Sequence, residues 1–349
     1  ELKNTVDVLT TIQDYNKTFS PDKVYVFNGR MSVFAPIVLY CKQNNINFNT
    51  FEFSLSFSKY HLLNNEIPHN ISYRKKEMID LWNDTAISTK EKQKIGVTFF
   101  ENQRGGVSTV EQSYIGLQNK EIDETKIKGK EVITFFNSSI DEFSAVPGWE
   151  NYIYIFEEET KAIEEICLHY INDETKIFIL RIHPNLKFID NTQNRQLLRL
   201  KSLKNLIIIE AHSPIRSYSL LDASNKVITF GSTIGVEACY YDKPVICLGL
   251  SFYEHLDVAY IPKNKEELYS CIDNKKLLPK PRENALPYGY WFNSFGEPYT
   301  NFLNKSIREE EYQLTSNQKR KGLILKLLEL HNYKRVLKIF NPKRNVLKK

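Results

Sequence analysis

Residues 179–188 read ILRIHPNLKF, and the change of character inside this run decides the fold. The preceding "KIFIL" (176–180) is apolar after its first residue, the pattern of a strand buried on both faces, and such strands belong to parallel sheets covered by helices. Arg181, His183 and Pro184 then break the run. Proline has no N–H to give a ladder and turns the residue before it away from helix, so the chain leaves the sheet here. His183 therefore stands at a strand's carboxyl end, which is where open parallel sheets bind ligands.

Working outward, strands and helices alternate on both sides. "EVITFFNSS" (131–139), "NLIIIEA" (205–211), "KVITFG" (226–231) and "KPVICLG" (243–249) read as strands. Between them "NYIYIFEEETKAIEEICLHYIN", "QNRQLLRLKSL", "SPIRSYSLLDAS" and "STIGVEACYYD" carry helical periodicity. Nearer the start, "KVYVFNG", "RMSVFAPIVLYCKQNN" and "INFNTFEFS" form a βαβ unit, whose crossover is right-handed in nearly all proteins. Residues 55–115 are polar and lean towards helix, with "RKKEMIDLWND" the clearest amphipathic piece. The pattern predicts an α/β protein of two doubly wound, Rossmann-like domains facing a cleft. The charged stretch 119–131 suggests domains at 1–125 and 126–311, followed by a C-terminal helix and basic tail at 312–349.

Composition narrows the chemistry. With 349 residues, 42% of them hydrophobic, the chain can build two ordinary cores. No apolar run reaches the ~18 residues of a membrane span, and the first residues lack the charged-then-apolar order of a secretory signal, so a cytoplasmic protein is expected. The five cysteines are scattered without a CxxC pair, which points to core thiols rather than a metal cluster or a disulfide framework. The net charge of +5 resides in the tail: residues 333–349 hold seven Lys or Arg and no acid, and the rest of the chain sums to −2. "TSNQKRKGLILKLLELH" (315–331) places apolar residues at helical spacing just before it. A solvated terminal helix and a basic amphipathic segment resting on an anionic membrane surface both fit this pattern. A nucleic-acid partner is not expected, because no basic stripe interleaved with aromatics occurs elsewhere.

Three polar loops follow strands of the second series: 135–143 (FFNSSIDEF), 181–185 (RIHPN) and 230–238 (FGSTIGVEA). Doubly wound topology brings such loops to one rim. Gly231 permits close backbone approach, Ser232 and Thr233 offer hydroxyls at a helix start, and the first-turn N–H groups suit phosphate. Glu237, one turn on, is placed to accept from ribose hydroxyls. Taken singly, Ser138, Ser139, Ser232 and Thr233 are ordinary cap or turn residues, and a lone His183 is an ordinary structural histidine. Their convergence is what points to a nucleotide phosphate. Neither GxGxxG nor GxxxxGK[ST] is present, which disfavours a dehydrogenase and a P-loop ATPase.

"RIHPN" followed by "GSTIGVEACYYDKPVICLG" resembles the HP and Ser-Ser/Thr motifs of capsule and lipopolysaccharide glycosyltransferases of the GT-B fold, a group that includes bacterial sialyltransferases and Kdo transferases using CMP-activated sugars. "FFNSSIDEFSAVPGW" and "VFNGRMSVFAPI" are similar to segments of capsule-biosynthesis proteins. The resemblance implies that His183 and Pro184 form the HP motif, with His183 on the donor phosphate stabilising the leaving nucleotide. It implies that Ser232 and Thr233 hold the same phosphate, that Ser138 and Ser139 line the donor pocket, and that Glu237 holds the ribose. Arg181 is either a second phosphate contact or the partner of an acid. No cofactor or metal is required, since no DxD-type pair occupies a strand-end loop.

The acceptor's proton needs a base from the opposite wall. Among Asn28, Arg30 and Glu52, only Glu52 can serve, with Arg30 facing the cleft beside it. A structural Glu52–Arg30 pair is the plainer alternative, and Asp141, Glu142 and the region 55–115 are the reserves. The expected activity is transfer of a sugar from a nucleotide-activated donor, CMP-linked, to an oligosaccharide or glycolipid acceptor of a bacterial surface glycan. Three competitors remain: a CDP-polyol phosphotransferase of teichoic-acid type, for which His212 is the second histidine; a non-catalytic nucleotide-binding protein of the same fold; and an epimerase of a UDP-sugar.

Overall fold

The computed structural model describes residues 2–54, 59–107, 118–140, 146, 148–149 and 152–299, with the backbone of 302–306 and 309–312. The tail and the reserve bases Asp141 and Glu142 lie outside the described residues.

The chain opens with α1 (Leu2–Phe19), β1 (Lys23–Phe27), α2 (Ala35–Gln43), β2 (Asn47–Phe53) and β3 (Lys59–Asn64). Pro36 sits in the first turn of α2, where its missing N–H costs nothing. Two longer helices follow, α3 (Ile71–Asn83) and α4 (Thr89–Gly105), each started by a side-chain cap: Asn70 accepts the N–H of Tyr73 and Ser88 that of Glu91. β1 and β2 are parallel, as the βαβ reading requires, whereas β3 runs antiparallel to β2. β3 falls in a stretch expected to be polar and helical. Its signal is weak because "KYHLLN" does not alternate polar with apolar: the inward positions include His61, whose imidazole is buried against Glu77 at 2.7 Å.

The second sheet comprises β4 (Glu131–Phe136), β5 (Lys176–Arg181), β6 (Leu206–Ile209), β7 (Lys226–Thr229) and β8 (Val245–Cys247). It is wholly parallel in the order β6-β5-β4-β7-β8, the doubly wound arrangement read from the sequence. Helices α5 (Glu159–His169), α6 (Thr192–Arg199), α7 (Ser217–Ala223), α8 (Ile234–Tyr240) and α9 (Lys265–Asp273) accompany it. Each strand alternates between two cores. Ile133, Phe135, Phe178 and Leu180 enter the cluster with α5, while Val132, Phe136, Ile177 and Ile179 enter the one with α7 and α8. Residues 152–158, read as the beginning of a helix, are not helical: Ile153 forms an antiparallel bridge with Gly249, Tyr154 N–H and the Tyr152 carbonyl pair with Leu248 and Leu250 beside β8, and 154–158 bend towards α5.

The chain then crosses back. α10 (Leu286–Ser294) packs on α3 and α4, where Gly96 and Gly289 let the backbones of α4 and α10 touch. β9 (Glu297–Pro298) adds antiparallel to β3 at the edge of the first sheet, and β10 (Phe302–Ser306) with β11 (Glu309–Tyr312) makes a hairpin. No helix among the described residues is long and apolar enough to cross a membrane.

Candidate functional site

Strand order reverses between β4 and β7, so the loops that follow them part at the carboxyl edge and leave a crevice there. The three loops picked from sequence meet at this edge and are stitched together by Asn137. Its Oδ1 accepts the backbone N–H of His183 at 2.8 Å, and its Nδ2 donates to the Ser138 carbonyl at 2.8 Å. Ser138 carries the connection onward, its hydroxyl donating to the Phe230 carbonyl at the end of β7, 3.3 Å away. Gln193 of α6 donates to the Ser138 carbonyl at 2.8 Å and accepts from Ile140 N–H at 3.2 Å. From below, the Glu159 carboxylate accepts the Ser138 N–H at 3.2 and 3.3 Å.

Glu159 is fully enclosed, and burial pushes its carboxyl up to about 8 against the opposing pull of hydrogen bonds from Ser138, Tyr152 and Asn137. Asn137, Glu159 and Gln193 were not singled out in the sequence. Asn137 had a signal, as the first polar residue after the apolar run "VITFF". Glu159 and Gln193 had none, since each stands at a helix start where polar residues are ordinary.

His183 is half-buried and begins the short 3-10 turn Pro184–Leu186, its ring Nδ1 accepting Asn185 N–H at 3.2 Å. That bond leaves the neutral ring's proton on Nε2, making Nε2 a donor. Pro184 fixes the turn. Ser138 and Ser139 are 2% and 0% exposed, so they shape the crevice from beneath rather than face it.

Gly231 has φ +101°, and a β-carbon there would collide with the Leu250 carbonyl oxygen. Its close approach is thus to the loop after β8, a neighbour inside the protein. Ser232 and Thr233 remain at the surface just before α8, with the Ser232 carbonyl accepting from Tyr253 Oη at 2.7 Å. Glu237, expected to face a ribose, lies buried beneath α7, where the Tyr218 hydroxyl donates to it. Burial raises its carboxyl to about 7, opposed by the Tyr218 and Thr233 hydroxyls. A ribose would reach it only by displacing Tyr218.

Arg181 answers one alternative left open by the sequence. It is 2% exposed and donates from Nη1 to the Glu210 carbonyl at 2.5 Å, while Nε and Nη2 are buried without a hydrogen-bond partner. No carboxylate pairs with it among the described residues, and burial lowers its guanidinium to about 10, still charged at neutral pH. Burying a guanidinium costs several kcal/mol unless an anion or other acceptor reaches it. His212, the second histidine of the phosphotransferase alternative, stands at the same edge. It is exposed, 3.6 Å from the Glu210 carboxylate, with its ring 6.2 Å from that of Phe188.

On the first sheet Glu52 does point away from Phe51 and Phe53. Its carboxylate takes Asn28 as partner at 2.5 Å, not Arg30, whose own N–H donates to Asn28 Oδ1 at 3.3 Å. The two walls are joined by Trp149, which donates from Nε1 to the His69 carbonyl at 3.1 Å and packs in the first sheet's core.

A switch-point edge with converging loops and a buried guanidinium that has two nitrogens without hydrogen-bond partners is a candidate anion-binding site. Residues 154–263, a stretch that contains the second and third loops, match the family model described as capsule polysaccharide biosynthesis protein. No curated protein matches the sequence. Among solved structures, the chain is similar to the beta Kdo 2,4 transferase of Thermosulfurimonas dismutans KpsC (12% identity, 78% of this chain and 80% of that chain, TM-score 0.47). It is also similar to the beta Kdo 2,7 transferase of the same KpsC (12% identity, 79% of each chain, TM-score 0.44). A third is the UDP-GlcNAc 2-epimerase from Neisseria meningitidis bound to UDP-GlcNAc (14% identity, 82% and 78%, TM-score 0.35).

Proposed function

We propose that the protein is a glycosyltransferase that moves a sugar from a CMP-linked donor to a growing bacterial capsule or lipopolysaccharide glycan. The observation that carries this reading is the buried Arg181 guanidinium, with Nε and Nη2 lacking hydrogen-bond partners, beside the His183 loop and within the stretch that matches the capsule polysaccharide biosynthesis model. The Arg181 guanidinium, no more exposed than Ser138, lies beneath the crevice and supplies positive potential to a nucleotide phosphate held there. His183 donates from Nε2 to the leaving phosphate as charge develops on it, and Ser232 and Thr233 contact the same phosphate from the other side of the crevice. The unit at 126–311 takes the donor and that at 1–125 the acceptor. Glu52, oriented by Asn28, removes the acceptor proton, with Arg30 beside it. The positive potential comes from these side chains and loop N–H groups, without a metal or cofactor, and turnover is expected to persist in a chelator.

The test is thermal stabilisation by CMP, CDP, UDP and GDP, where a ligand at a hundred times its Kd adds about 2.7 kcal/mol. CMP is expected to give the largest shift. Stabilisation by UDP or GDP alone rejects the donor assignment, and stabilisation by none rejects the nucleotide site. The CDP-polyol phosphotransferase is retained as second reading because His212 stands at the same sheet edge as His183. Transfer assays with CMP-sugars and CDP-polyols separate the two.

A further inference from the structure

The first sheet has one face to which no helix is matched among the described residues. Val26, Phe48, His61 and Leu63 point to the covered face, where Val38 and Cys41 of α2 join Val26 and Phe48 and the Phe295 ring lies 5.3 Å from His61. The opposite face carries Tyr25, Phe27, Phe51, Phe53, Tyr60 and Leu62. Phe27, Phe51 and Leu62 lie directly across from one another in register, and the Phe27 ring is 5.4 Å from Phe51 and 6.3 Å from Phe53. Tyr25 is 62% exposed, Phe53 47%, and Phe51 and Leu62 42% each. Contiguous apolar patches of this kind mark interaction surfaces.

The path of the chain indicates the cover. β9 pairs Glu297 with Tyr60 at the sheet edge, and two residues later the Tyr299 ring lies 5.2 Å from that of Tyr60, on the exposed face. The chain therefore leaves the edge strand over this face. In the hairpin that follows, Phe302 is opposite Tyr312, so the chain comes back to a point only three residues, about 10 Å of extended chain, beyond Tyr299. The sequence that begins there carries Leu323, Leu327 and Leu330 at helical spacing, with Ile324 and Leu328 alongside and Lys319, Arg320 and Lys321 before them.

We propose that residues 315–331 dock, apolar side down, as a helix on the Tyr25–Phe51–Leu62 face and complete the first sheet's second covering layer. The docking does not depend on the donor assignment. It is tested on the full chain with photoreactive p-benzoylphenylalanine in place of Leu62, irradiated as a mixture of isotopically light and heavy protein and mapped by mass spectrometry. The expected adducts join the probe to 323–330 of the same chain and are lost in a Leu323→Asp, Leu327→Asp double variant. Light–heavy adducts show that the face joins two copies, adducts to lipid alone show that it meets a membrane, and adducts elsewhere or none show that 315–331 does not lie there. Each of these overturns the proposal. The probe at Phe51, an aromatic-for-aromatic exchange, repeats the measurement if the Leu62 replacement fails to fold.

Discussion

Asn137 fixes the backbone of His183: its amide oxygen accepts the His183 N–H at 2.8 Å while its amide nitrogen is anchored on the Ser138 carbonyl at 2.8 Å. The imidazole is fixed again by Asn185 N–H on Nδ1 at 3.2 Å, so both the position of the ring and its proton-bearing nitrogen are set before any ligand arrives. Two substitutions separate positioning from chemistry. His183→Ala is expected to lower turnover by roughly 10²-fold, the scale of losing one donor to transition-state charge, with the fold intact. Asn137→Ala leaves the buried His183 N–H unpaired, costs about 1–3 kcal/mol of stability, and lowers kcat without a matching rise in KM. Near-normal turnover in folded His183→Ala, or an Asn137→Ala loss confined to stability, removes the respective role.

Arg181 predicts a trade between stability and binding. Its two unpartnered guanidinium nitrogens mean that the ligand-free protein carries an uncompensated buried cation. Arg181→Met keeps the volume and removes the charge, and replacing buried ions by apolar groups is often stabilising by 1–4 kcal/mol on the order of magnitude seen elsewhere. The variant is expected to melt at a higher temperature than the parent when free, and to lose most of the shift that CMP gives. Lower stability with an intact CMP shift would instead make the guanidinium a strut on the Glu210 carbonyl.

Glu52→Gln keeps the shape of the carboxyl and its contact with Asn28 while removing the base. Donor binding is expected to be unchanged and transfer abolished or strongly slowed, read by comparing nucleotide affinity with product formation. Transfer that persists with an unaltered pH profile places the base elsewhere.

The second sheet was legible because parallel strands buried on both faces leave continuous apolar runs: "KIFIL", "VITFF" and "PVICL" each became a strand of the predicted kind. Loop addresses followed from topology, and the stitching by Asn137 and Ser138 places all three at one edge. What stayed hidden depends on partners distant in sequence. Gly231 is glycine because of Leu250, and Glu237 is enclosed because of Tyr218; no local spacing encodes either neighbour. β3 was obscured by the same cause, its inward His61 being apolar in effect only through Glu77 and Arg74.

Glu159 predicts a pH dependence of stability. Burial holds its carboxyl at about 8, above its ordinary 4.5, so the folded protein keeps a proton that the unfolded chain releases. The unfolded state binds fewer protons across that interval, and stability falls as pH rises through it. The contribution is fully present below about 4.5 and is lost by about 8; Glu237, held at about 7, acts in the same direction over a narrower range. Glu159→Gln is neutral throughout. Urea midpoints at about pH 5 and about pH 8 are expected to differ less in the variant than in the parent. Equal differences in both remove Glu159 as the source.

The basic tail predicts where the protein works. Residues 333–349 carry seven Lys or Arg and no acid on a chain that is otherwise slightly acidic, with Val336, Leu337, Ile339 and Phe340 among them. They lie outside the described residues, so the prediction is one of charge and sequence. Each cation near an anionic surface contributes about 1 kcal/mol, enough together for reversible association without a spanning helix. An enzyme extending a lipid-linked glycan gains from that location, and the attraction weakens with salt because exposed charges are screened within about 10 Å at 0.1 M. The full chain is expected to co-sediment with anionic but not neutral liposomes at low salt, and a chain shortened to end at Tyr333 is expected to stay in the supernatant. Equal sedimentation of the two leaves the tail a solvated end and withdraws the peripheral-membrane assignment.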